Sequence, residues 1–138
     1  MGNIKNNTLV FLALFVSAFL IFNNYRVSQS MIIGEWIGNN KIYELSIVFI
    51  EDNTCKISIY NKHTFQGSEI YGEYEIDYSK RPIPLKIKKI KQLNHPLYSI
   101  FDLMSKDSMR FSYFSPHWKL RNINYESDSY IDLIRVVE

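Results

Sequence analysis

The stretch Ile70-Tyr71-Gly72-Glu73-Tyr74-Glu75-Ile76-Asp77 decides the fold class. Its even positions (Ile70, Gly72, Tyr74, Ile76) are apolar or small, while its odd positions carry Tyr71 and three carboxylates. Successive side chains of a β-strand point to opposite faces, so this pattern specifies a strand with one face buried and one in water. The next seven residues, Tyr78-Ser79-Lys80-Arg81-Pro82-Ile83-Pro84, read as a turn closed by two prolines. Leu85 and Ile87 then alternate with Lys86 and Lys88, which completes an antiparallel hairpin with Glu73, Glu75 and Asp77 outside, beside the lysines. Period two breaks at Lys88-Lys89. A β-bulge there returns Ile90 to the inner face and leaves Lys89 and Lys91 in water; strict alternation would bury both charges.

Working outward, the same period recurs. In Tyr43–Ile50 the residues Leu45, Ile47 and Phe49 share a face, Glu51-Asp52-Asn53-Thr54 is a turn by composition, and Cys55, Ile57 and Ile59 repeat the pattern. Lys62 to Glu69 reads as a loop. Leu97–Met104 and Met109–Ser115 form another hairpin, in which Phe101 and Leu103 share a face with Phe111 and Tyr113 only if odd residues oppose odd ones. That register predicts a three-residue loop, Lys106-Asp107-Ser108. Trp118-Lys119-Leu120-Arg121 and a polar loop lead to a last strand, Tyr130–Val137. About eight strands joined by hairpin-length turns, with no helix between them, predict an all-β fold: a small antiparallel up-and-down barrel. Closure removes the exposed edges and encloses either a side-chain core or one small ligand.

Gly34-Glu35-Trp36 opens this series, and a Gly-x-Trp opening before a small antiparallel barrel resembles that of the lipocalins. More closely, Gly72-Glu73-Tyr74-Glu75-Ile76-Asp77 with Pro82-Ile83-Pro84-Leu85-Lys86-Ile87, then Tyr98-Ser99-Ile100-Phe101 and Asp107-Ser108-Met109-Arg110-Phe111, resembles a bacterial lipocalin-like family of small exported domains of unknown function. The resemblance runs from about Gly34 to Arg121. It implies that Trp36 plugs one end of the barrel and that a late arginine, Arg121 or Arg135, packs over it.

The first thirty residues differ from the rest. Thr8 to Phe22 is apolar apart from Thr8 and Ser17, and follows a short polar stretch containing Lys5. This is the layout of an export signal, which predicts a signal peptide or N-terminal membrane anchor over residues 1–30 and a barrel domain over 31–138. Fifteen helical residues span ~22 Å against a hydrocarbon core of ~30 Å, which favours a signal peptide. The best small-residue pair downstream, Ser28-x-Ser30, lies eight residues past the apolar run and is a weak cleavage site, which favours retention as an anchor. In either case Lys5 keeps the N-terminus in the cytoplasm, and the barrel is expected in the periplasm or cell envelope, held to the inner membrane through residues 8–22 if uncleaved.

Charge divides at the same boundary. Setting aside Lys5 and Arg26 leaves fourteen basic residues against fourteen acidic ones, so the barrel domain is formally neutral and carries no general attraction for nucleic acid. The single cysteine, Cys55, excludes an internal disulfide framework and sits where a buried thiol is expected. His63, His95 and His117 lie in turns or loops without metal-ligand spacing, and neither a nucleophile–base pair nor a cofactor motif is present. The sequence therefore predicts a non-enzymatic protein with no metal and no cofactor.

Two kinds of site remain. Trp36, Phe49, Tyr74, Phe101, Phe111 and Tyr113 fall on inner faces, where they either fill the barrel or line a pocket for a small apolar or lipidic ligand. Lys80 and Arg81 form a basic turn tip without a partnering carboxylate in the alternation, and with the aromatic-rich segment Tyr113 to Trp118 they mark a surface for a protein partner. The first predicts an exported ligand-binding barrel. The second predicts an envelope immunity, exclusion or inhibitor protein acting through its outer surface.

Overall fold

A computed structural model of the chain describes residues 7–16, 26–126 and 128–137. Eight antiparallel strands form a closed barrel in sequence order: β1 (Gly34–Asn39), β2 (Tyr43–Phe49), β3 (Thr54–Asn61), β4 (Gln66–Ile76), β5 (Ile83–Lys88), β6 (Leu97–Ser105), β7 (Ser108–Ser112) and β8 (Tyr130–Arg135). Closure is made where β1 pairs with β8 through Trp36↔Arg135 and Ile37↔Ile134. The expected all-β, up-and-down architecture is what the chain adopts. The turns 50–53, 77–82 and 106–107 gather at the end where β1 starts; 40–42, 62–65 and 89–96 gather at the other, where the long connection 113–129 also leaves β7 and returns to β8 after passing along the outside of β5.

Alternation assigned the inner face well. Leu45, Ile47 and Phe49, then Cys55 and Ile57, then Ile70 and Tyr74, then Leu85 and Ile87 are all buried, and they share one core with Phe101, Met109, Phe111, Ile131 and Leu133. The β6–β7 register is odd against odd, with Phe101↔Phe111 and Leu103↔Met109.

Local departures from the sequence reading have separate causes. Gln66–Glu69 continue β4 rather than forming a loop, because each residue pairs with β3 (Asn61↔Gln66 to Ser58↔Glu69), so backbone ladder bonds override a polar composition. The connection shrinks to residues 62–65, where the Asn61 side chain accepts from the His63 and Thr64 amides at 2.9 and 3.2 Å and Phe65 takes a left-handed φ of 56°. Ile83 and Pro84 belong to β5, opposite Phe101 and Ile100, so the preceding turn is shorter than expected. There is no bulge at Lys88-Lys89. The strand ends at Lys88, Lys89 turns the chain at a φ of 53°, and Ile90 is buried while Lys89 stays in water. The β6–β7 loop is not three residues long. Ser105 pairs with Ser108 around Lys106-Asp107, and a bulge between Leu103 and Ser105 absorbs the odd residue with Met104 exposed.

The packed unit also begins ahead of Met31. Val27 is 4% exposed and Ile32 is fully buried in the barrel core. The four-residue helix Gln29–Ile32 lies across the end of the barrel that holds Trp36. Gln29 Nε2 donates to the Glu51 carbonyl (3.2 Å), Asn53 Oδ1 (2.9 Å) and the Tyr74 hydroxyl (2.8 Å), tying this helix to β4 and the β2–β3 turn. Residues 7–16, which include the first nine residues of the apolar stretch expected over Thr8–Phe22, are helical with Leu9, Phe11 and Phe15 among the exposed side chains. Residues 17–22 of that stretch lie outside the described residues. Among the described residues no helix is long and apolar enough to cross a membrane.

Candidate functional site

The two ends of the barrel are built differently. At the closed end the Trp36 indole is 0% exposed and its Nε1–H donates to the Ile32 carbonyl at 2.8 Å. The Arg135 guanidinium lies 4.3 Å over the Trp36 ring, donates to the carbonyls of Met31 and Ile33, and faces Asp107 at 3.4 Å. Of the two arginines the sequence left open, Arg135 is the one that covers the tryptophan, because β1 and β8 are brought into register at that position. Each nitrogen of this cation faces a carbonyl or carboxylate oxygen, with the Lys106 carbonyl accepting as well, which offsets the cost of removing it from water.

At the mouth a cavity of about 410 Å³ opens among Tyr43, Leu45, Ile59, Phe111, Tyr113 and Ile131, with Ser112 and Phe114 completing the wall. Tyr43 and Tyr113 meet edge to face at 5.4 Å, and Phe111 and Phe114 do so at 5.2 Å, so the wall is held by aromatic pairs rather than by loose side chains. Asn40 organises the rim. Its Oδ1 accepts from the Ile42 and Tyr43 amides at 2.9 and 2.8 Å, its Nδ2 donates to the Tyr113 hydroxyl, and its carbonyl accepts from Lys62 Nζ at 2.8 Å. The cavity lies within the 300–1,000 Å³ usual for small-molecule sites. Its chemistry is that of an apolar sleeve in which Tyr43, Ser112 and Tyr113 are the hydroxyl-bearing wall residues.

Of the six aromatics singled out from the sequence, Phe111 and Tyr113 line this cavity. Trp36, Phe49, Tyr74 and Phe101 do not. Phe49 and Tyr74 meet edge to face at 5.1 Å, with the Tyr74 hydroxyl donating to the Ile50 carbonyl at 2.7 Å near the closed end, and Phe101 is fully buried. Tyr43, Leu45, Ile59, Phe114 and Ile131 complete the site from four separate segments: β2, β3, the 113–129 connection and β8. Inner-face alternation had marked Leu45 and Ile59, but nothing in the sequence marked their depth.

Lys80 and Arg81 sit in the β4–β5 turn. Contrary to the expectation that this tip lacks a partner, Lys80 Nζ lies 3.7 Å from Asp77, and Arg81 donates to the Tyr78 and Lys80 carbonyls at 3.2 and 3.0 Å. The charge ladder exists with shifted partners: Glu75 pairs with Lys88, two residues past the directly opposed Lys86, and Glu73 with Lys89 at 3.3 Å, one residue past the directly opposed Lys88. Hydrogen bonding from Lys88 holds the Glu75 carboxyl below its ordinary range. Lys80 also borders an outer concavity of about 470 Å³ with Tyr98, Trp118 and Arg121, where Trp118 is 55% exposed. A larger hollow, about 820 Å³, is a saddle on the outside of β1 to β4 and β8 lined by residues that include Ile37, Ser46, Ser58 and Ile134. Its breadth and exposure to water make it a poorer container for an apolar molecule than the smaller mouth cavity.

Cys55 is buried, and burial pushes its thiol from an ordinary 9.0 up to about 12. The thiolate fraction at pH 8 is then ~10³-fold lower than for an exposed thiol. A thiol reagent at pH 8 is expected to modify the native protein only after denaturant is added; prompt stoichiometric labelling would contradict this placement. No group of three or more His, Cys, Asp or Glu side chains suited to a metal ion occurs among the described residues. Comparisons with family models, with curated proteins and with solved structures return no match to this chain.

Proposed function

We propose that the chain is a non-enzymatic, exported, lipocalin-like barrel that takes a small apolar or lipidic molecule into its mouth. The apolar cavity bounded by Tyr43, Leu45, Ile59, Phe111, Tyr113 and Ile131 carries this reading. Support comes also from the contrast between the ends: one is sealed by Trp36, Arg135 and residues 27–33, and the other is lined by aromatic faces. The Arg135–Trp36 stack is the arrangement a lipocalin-like barrel implies, and the apolar stretch from Thr8 fits export or anchoring with the barrel in the periplasm or envelope. Burying a long apolar chain releases ~25 cal/mol per Å², so ~500 Å² offsets an association cost of ~4 kcal/mol and leaves the ~8 kcal/mol of micromolar binding.

Filling the cavity tests the reading. Ile59→Trp places an indole in the sleeve and is expected to weaken uptake of the neutral dye N-phenyl-1-naphthylamine at least tenfold, a loss of ~1.4 kcal/mol, while leaving the unfolding midpoint within a few degrees. Titration of dye fluorescence checks it. Undiminished uptake in a folded variant would contradict the site.

A second reading, an envelope immunity, exclusion or inhibitor protein, is favoured by one observation: the outer concavity where Lys80, Trp118 and Arg121 meet. An exposed Trp beside a half-buried Arg at one concavity is typical of protein-binding hot spots. Trp118→Ala would then abolish capture of a protein partner by the full-length chain while leaving dye uptake intact.

A further inference from the structure

Where the barrel begins relative to the apolar segment fixes which way the mouth can face. The last apolar residue of that segment is Phe22, and Val27, five residues on, is already buried in the core beside the closed end. Five residues span at most ~18 Å when fully extended. If residues 8–22 sit in the hydrocarbon core, about 6 Å of that reach is spent crossing the headgroup layer, the difference between a ~30 Å core and a ~40–45 Å bilayer shared over two sides. About 12 Å of tether is left above the surface.

Turning the barrel over would need more. The eight residues of β3, Thr54–Asn61, run from the closed end to the mouth. At ~3.3 Å per residue and a tilt of ~40° they account for ~20 Å along the barrel axis, before the turns at either end are added. An inverted barrel would hold Val27 at least that far from the membrane, beyond the tether.

Resting on the anchored form of the reading above, we propose that the barrel stands with its closed, Trp36 end against the membrane that holds residues 8–22, and that its mouth opens away from that membrane. An apolar ligand then enters from the aqueous compartment or from whatever faces the mouth across it, not from the anchoring bilayer. Charge does not set this orientation. The turns of the closed end carry Lys80, Arg81 and Lys106 but also Glu51, Asp52, Asp77 and Asp107, so attraction to anionic headgroups is largely cancelled. The orientation is accordingly insensitive to salt, unlike a headgroup-docked barrel.

The test uses the full chain in vesicles of phosphatidylethanolamine and phosphatidylglycerol (3:1) containing a lipid spin-labelled on its headgroup. A fluorescent label is placed at the closed end through Lys80→Cys or at the mouth through Thr64→Cys, with the wild type as the control for background labelling of Cys55. Quenching at position 80 is expected to exceed that at position 64 at least threefold, with the same ratio in 0.5 M salt. Equal or stronger quenching at position 64 in protein that floats with the vesicles overturns the orientation and leaves the anchored reading standing. Protein that does not float with the vesicles overturns the anchored reading, and this proposal with it.

Discussion

Trp36→Ala is expected to cost ~3–5 kcal/mol and to lower the midpoint of thermal unfolding by roughly 15–25 °C. The indole is fully buried and fills the closed end of the barrel, so truncation leaves a cavity that rigid strands cannot collapse to fill. Two further losses follow from the same change. The Ile32 carbonyl loses its indole donor, and Arg135 loses the aromatic face it stacks on while remaining four-fifths buried, with its side chain 19% exposed. A stacked cation of this kind contributes ~0.5–2 kcal/mol. Trp36→Phe keeps a ring under Arg135 and is expected to recover more than half of the loss. Calorimetry of the three proteins checks the order. A Trp36→Ala midpoint within about 5 °C of wild type would mean that this end is not what holds the barrel shut.

The second large effect is steric and falls on the closure itself. A Cβ built on Gly38 would lie 2.2 Å from the Asp132 carbonyl oxygen and 2.8 Å from a Leu133 methyl. The obstacle is backbone, so no rotamer change relieves it and β1 has to move away from β8. That is the pair whose ladder comprises Trp36↔Arg135 and Ile37↔Ile134, extended by the Val136 amide donating to the Glu35 carbonyl at 2.8 Å. Gly38→Ala is therefore expected to destabilise by ~3 kcal/mol or more, at the upper end of overpacking effects, and to raise amide exchange at Ile37 and Val136 ahead of the other strands. Gly67→Ala supplies the contrast: its nearest neighbour would be the Tyr60 ring at 3.5 Å, ordinary contact, and its effect is expected to stay within ~1 kcal/mol. Equal effects at the two positions would show that the β1–β8 approach is looser than the structure has it.

How far the sequence led can be judged from particular residues. Ile70, Gly72, Tyr74 and Ile76 disclosed the face of β4 because alternation has the period of the backbone, and the same logic fixed the odd-against-odd register of Phe101 and Phe111. What alternation encodes is the face of a residue, not its height along the barrel axis. Height depends on strand stagger, which accumulates around the closed sheet and leaves no mark in any single strand. This is why Phe49, Tyr74, Phe101 and Phe111 looked equivalent, although only Phe111 reaches the mouth, and why Tyr43, Phe114 and Ile131 were missed as wall residues. The polar stretch Gln66–Glu69 misled in another way: its composition is that of a loop, but its amides and carbonyls are held by β3. Val27 and Gln29 were assigned with residues 1–30 to the N-terminal segment, and only tertiary packing places Val27 in the core and ties Gln29 to the β2–β3 turn and Tyr74.

The central claim is that an apolar molecule lodges at the mouth and nowhere else in the barrel. The measurement that addresses it most directly is a methyl-resolved NMR titration of isoleucine-labelled protein with a long-chain fatty acid. Ile59 and Ile131 in the cavity wall are expected to shift in a saturable manner, while Ile32 and Ile83, buried outside that wall, stay where they are. Saturable shifts confined to Ile37 and Ile134 on the outer surface, or no shift at Ile59 and Ile131 at saturating fatty acid, would contradict the account.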